Sequence, residues 1–145
     1  MPVWSIQMYW RRKKMITLIE HLVAVRNYAK DIHYHAHGDS FYGIHLLMDR
    51  VAKDLDKYED DLKEVCYLGE MQEVPSSADI LKVAAAYIPE ITDDNKENIG
   101  RLSDLIAQTL DDVARLKGNS PAQDSLLDGL AQDLQLKRGL LWRQK

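Results

Sequence analysis

Four side chains between Asp39 and Gly69 have the types and spacing to grip a cation: His45, Asp49, Asp60 and Glu64. His45 and Asp49 are four residues apart, as are Asp60 and Glu64, so on a helix each pair projects from neighbouring turns of one face. An imidazole with a carboxylate, or two carboxylates, can ligate one metal ion. Mixed nitrogen and oxygen donors without a thiolate suit Fe(II), Mn(II) or Zn(II). The stretch itself is expected to be one long helix, because Phe41, Ile44, Leu47, Met48, Val51, Leu55, Leu62 and Val65 recur at helical intervals.

Within one such helix the two pairs cannot meet. Asp49 and Asp60 are eleven residues apart, which returns to nearly the same face. At about 1.5 Å per residue, however, they are separated by about 16 Å along the axis. A first-row metal holds its ligands at only about 2 Å. Two copies of the helix running antiparallel about a two-fold axis would solve the problem. Asp49 of one chain would face Asp60 of the other, with Leu55 near the axis and two equivalent sites per dimer.

The wider pattern reads H-x-x-x-x-G-x-x-F-x-x-x-H-x-x-x-D from His33 to Asp49, then ten residues, then D-x-x-x-E from Asp60 to Glu64, then Leu68-Gly69. It resembles the Dps family of miniature ferritins, without gaps over this stretch. The resemblance implies an all-α, ferritin-like four-helix bundle with a short extra helix in the connection between helices two and three. It adds His33 to the ligands, so that His33, His45 and Asp49 of one subunit meet Asp60 and Glu64 of its two-fold mate. It implies a ferroxidase that oxidises Fe(II) with hydrogen peroxide or dioxygen, using one or two irons per centre, with Zn or Mn as substitutes. Ferric mineral would be stored in a hollow shell, built as a dodecamer from two-fold dimers, protecting against oxidative stress. The family's three-fold pore would fall at the start of helix four, where Asp124 and Asp128 are candidates for iron entry. This sequence departs from the family after the first histidine, where Tyr34 and His35 replace the usual Trp and Asn and His37 precedes the glycine. His35 and His37 are candidates for groups that hydrogen-bond the ligands from outside or trap metal at the surface; His21 reads as an ordinary helix residue. The alternative is a Dps-like DNA-binding or structural shell protein whose metal site is not catalytic.

Around this stretch the chain must supply the rest of the bundle. Helix one is expected from about Arg12 to His35 or His37, on a seam of Met15, Leu18, Leu22, Val25 and Ala29. Residues 1–10 lack side-chain charge and are rich in apolar residues, so they are expected to pack on their own domain or a neighbouring subunit. Ala78 to Tyr87 suits a short helix capped by Ser76 or Ser77. Helix three should begin near Thr92 or Asp93 and end at Gly118. In helix four Ser120 caps, Pro121 takes the first helical position and Gln123 completes a capping box.

A chain of 145 residues suits a single domain over residues 1–145. The net charge of −4 gives no general attraction to DNA or anionic membranes, so DNA binding is not the favoured expectation. The four cations Arg11 to Lys14 read as a solvated face more readily than as phosphate contacts. One cysteine, Cys66, excludes a disulfide framework and a cysteine-based zinc site. No apolar run approaches membrane-spanning length and no signal peptide is apparent, which leads to the expectation of a cytoplasmic protein.

Overall fold

The computed structural model describes residues 3–144, with side chains from Ile6 onward. Among these residues it is all helical: α1 (Val3–His35), α2 (Phe41–Ala52), α3 (Leu55–Glu64), α4 (Ser77–Tyr87), α5 (Asn95–Leu116) and α6 (Pro121–Trp142). A single π-helical turn, Val65–Gly69, follows α3 directly. None of the described helices is long and apolar enough to cross a membrane.

The first helix is the hub, packing against α2, α3, α4 and α5, while α6 closes the core against α5, α2 and α3. Its seam is fully apolar where it matters: Leu18, Leu22, Val25, Ala29 and Ile32 are all buried. The core is completed by Met48 and Leu62, by Leu102 and Ile106, and by Leu130 and Leu134. Burying each such side chain contributes roughly 1.5–3 kcal/mol relative to leaving it exposed.

Helix ends follow local chemistry. Ser76 Oγ accepts from Asp79 N at the start of α4, and Ser120 Oγ accepts from Gln123 N at the start of α6. Asp94, one or two residues beyond the expected start, caps α5 by accepting from Lys96 N and Glu97 N. The Gln123 side chain does not complete the expected capping box. It bonds to Arg11 and, at 2.6 Å, to Glu70, tying α6 to the opposite end of the chain.

Two expectations fail. The stretch from Asp39 to Gly69 is not one helix but is broken at Lys53 and Asp54, where Asp54 adopts a left-handed φ of 65°. Aspartate is among the few side-chain-bearing residues that tolerate this region. Leu55, expected near a dimer axis, is 1% exposed inside its own core. Helix one also begins earlier than expected, and Ile6, Met8, Tyr9 and Trp10 lie on its surface at 41–55% exposure, so of the two expected packings for this segment the one on its own domain is not seen and the one on a neighbouring subunit stays open. Met1, Pro2 and the side chains of Val3 and Trp4, included in the same expectation, lie outside the described residues.

Candidate metal centre

The turn between α1 and α2 brings His33 and His45 together. Gly38 makes the turn with a φ of 81°, a conformation that costs glycine little and most other residues more. The two imidazoles stack with centroids 3.6 Å apart and planes 18° from parallel. Each ring is also anchored by the other's backbone. His33 Nδ1 lies 2.7 Å from the His45 carbonyl, and His45 Nδ1 lies 2.9 Å from the His33 carbonyl. A carbonyl only accepts, so both rings carry their hydrogen on Nδ1, and in the neutral form Nε2 keeps its lone pair. A hydrogen bond from the far nitrogen to a carbonyl is the usual way a metal-binding histidine is oriented.

Asp49 stands beside them, with Oδ1 at 3.6 Å from His33 Nδ1. The same oxygen accepts a 2.7 Å bond from Lys30 Nζ. That bond is the main cause holding the Asp49 carboxyl below the usual carboxylate range; partial desolvation opposes it, and the neighbouring His33 and His45 add to it. Phe41, exposed on the surface of α2, tilts against His45 at 5.1 Å.

Asp60 and Glu64 lie on α3, exposed, on the far side of the Lys53–Asp54 break. Among the described residues of one chain, no group of three or more His, Cys, Asp or Glu side chains is placed to hold a metal ion. His33, His45 and Asp49 are neighbours without forming such a group, and Asp60 and Glu64 lie on a different helix. By donor type alone, two imidazoles and a carboxylate suit a divalent cation, but Asp49 lies on the Nδ1 side of His33, away from the free Nε2, and the stacked rings do not converge on one point within the single chain.

The remaining candidates have local partners. His35 Nδ1 bonds to the Asp31 carbonyl at 2.7 Å and His37 Nδ1 to the His35 carbonyl at 3.1 Å, so neither ring nitrogen supports His33 or His45. Asp124 accepts from Gly118 N at 3.0 and 3.2 Å, bracing the turn before α6. Asp128 pairs with Lys117. Two of the four cations in the basic run are structural. Arg11 donates to the Leu116 carbonyl at 2.6 Å, capping α5, and Arg12 donates to the Glu73 carbonyl at 3.0 Å.

Three further side-chain contacts were not expected from the sequence. Lys30 contacts Asp49. His21, read as an ordinary helix residue, is buried against Asp112 with the Tyr87 ring 4.4 Å away. Lys137 is buried at 2% exposure. The last two left a signal: Asp112 falls on the α5 seam between Thr109 and Leu116, and Lys137 on the α6 seam between Leu134 and Leu141. A charge at a seam position demands a buried partner. No family model matches the chain, and no curated protein matches it in sequence.

Proposed function

We propose that this chain is a ferritin-like, Dps-type miniferritin that oxidises Fe(II) at centres shared between two-fold-related subunits and stores the ferric product in a shell. The observation that carries the reading is the mutual anchoring of His33 and His45 beside Asp49. It leaves the Nε2 of each ring free for metal, while Asp49 is held by Lys30 on the Nδ1 side, so the ligand set is incomplete within one chain. Exposed apolar side chains on the same stretch, Tyr34 at 74%, Tyr42 at 71% and Leu46 at 47%, supply a surface that a second copy would cover.

On this reading, the neutral imidazoles bind the substrate ion without adding charge, while Asp49 and the partner's carboxylates favour the ferric state as electrons leave. With peroxide as oxidant, two Fe(II) ions each give up one electron. The O–O bond breaks, and two protons complete two waters. Asp124 and Asp128 are proposed to line an iron-entry pore, although their pairing with Gly118 N and Lys117 gives each a structural role as well.

The Lys30–Asp49 pair favours a second reading, a structural or DNA-binding shell protein with a non-catalytic metal site, because the ammonium occupies a ligand oxygen. Ferric absorbance after mixing Fe(II) with hydrogen peroxide separates the two. The proposal expects fast oxidation in the parent and loss of most of the rate in Asp60→Ala and Glu64→Ala. Equal rates in all three proteins would leave the second reading.

A further inference from the structure

The break between α2 and α3 lies midway between Asp49 and Asp60, where the two-fold reading puts the symmetry axis. In an unbroken helix the Lys53 carbonyl would accept from the backbone four residues on. Here Lys53 is extended, with φ −58° and ψ 134°, and Lys57 N bonds instead to Asp56 Oδ1 at 2.9 Å. The Lys53 carbonyl accepts from Lys137 Nζ, which arrives from α6. The Lys137 side chain is 3% exposed, and its one further partner is the ion-paired Asp133 Oδ2 at 2.7 Å, which is not in hydrogen-bonding geometry.

A buried ammonium is tolerated only when its hydrogen bonds are met. Closing the helix would take the Lys53 carbonyl back into the ladder and leave Lys137 with Asp133 alone. The buried charge on α6 therefore selects the broken form of α2–α3. Asp54, at φ 65° and ψ 1°, supplies the conformation that the break requires.

We infer that Lys137 is a positioning residue of the metal centre, holding the break that sets the offset between the His45–Asp49 pair and the Asp60–Glu64 pair. The inference rests on the shared-centre reading. Asp49 and Asp60 lie about 8 Å along the helix from the break and His45 and Glu64 about 14 Å, so a change of direction there moves the ligands by ångströms. Metal–ligand distances tolerate only about 0.2 Å. Lys137 touches no ligand and acts through the backbone.

The test is the affinity of the full-length, assembled protein for Co(II), read anaerobically from its ligand-field absorption, beside the thermal unfolding midpoint. Lys137→Met keeps the length of the side chain and removes the donor. Asp54→Val leaves Lys137 in place and opposes the left-handed conformation, because β-branched residues resist positive φ. Both variants are expected to lose about tenfold or more in Co(II) affinity, the scale on which lost outer support weakens a metal site. Asp54→Gly, which accepts the break freely, should keep the parental affinity. A purely structural role would lower the unfolding midpoint and leave the affinity of the folded protein unchanged, which would overturn the inference. Should Lys137→Met fail to fold, Asp54→Val decides alone, since parental affinity in that variant is equally fatal. A parent protein that binds no Co(II) overturns the metal centre itself; parental affinity in the variants overturns only the role of Lys137.

Discussion

A carbonyl oxygen can only accept, and that single property orients two imidazoles in this chain. His33 and His45 each bond the other's backbone, so truncating either leaves a carbonyl without its partner. His45→Ala is therefore expected to cost roughly 0.5–1.5 kcal/mol in denaturant unfolding, the net worth of a typical hydrogen bond. It should also remove Co(II) binding, and a variant retaining both properties would show that the stack is not a ligand pair. Cys66 supports a pH prediction. Burial pushes its thiol from 9.0 up to about 11, with Glu70 adding and Arg12 opposing. Below pH 9 both folded and unfolded chains keep the proton. Between pH 9 and 11 the unfolded chain releases it first, so folding stability should fall as pH rises. At about 1.4 kcal/mol per pKa unit the loss across the window is about 3 kcal/mol. Tyr28 and Tyr58 are raised in the same direction, so the comparison that isolates the thiol is parent against Cys66→Ala. The variant should show the shallower decline, and equal slopes would contradict the account.

At the scale of elements, what was legible in the chain was local. Ser76, Ser120 and Pro121 announce α4 and α6 because the cap and the first turn lie within a few residues of one another. Ser120→Ala should lower stability by about 1 kcal/mol, measurable by chemical unfolding. The break between α2 and α3 was hidden for a physical reason. Val51, Leu55 and Leu62 keep helical spacing across it, so the apolar pattern reads straight through. The residue that decides, Lys137, is 84 positions away. The same separation explains the site. The His45–Asp49 and Asp60–Glu64 pairs are visible from spacing alone, whereas the mutual anchoring of His33 and His45 depends on how the Gly38 turn folds back. Leu55 shows the cost of reading the stretch as one helix. Because it is buried in its own chain, Leu55→Ala should cost about 2–5 kcal/mol of folding stability rather than only weaken an interface. Loss of assembly with unchanged unfolding would return Leu55 to the dimer axis.

For the molecule as a whole, the issue is what one chain leaves unfinished. The proposed ligands are divided between α1–α2 and α3, and exposed Tyr34, Tyr42 and Leu46 flank the first group. The basic run is a weak argument for nucleic acid, since Arg11 and Arg12 are engaged by the Leu116 and Glu73 carbonyls. With a net charge of −4, no DNA shift is expected in gels at physiological salt, and complexes that persist there would contradict this. The central claim, that each metal centre is built from two chains, is tested most directly by complementation. One chain carries His45→Ala with Asp49→Ala, and the other carries Asp60→Ala with Glu64→Ala. Neither should bind Co(II) alone. Refolded together in equal amounts, half of the dimers are mixed and each mixed dimer regains one of two sites, so about a quarter of the parental binding capacity should return. No recovery in a mixture that has demonstrably exchanged subunits would show that every centre lies within a single chain, or that these residues form none.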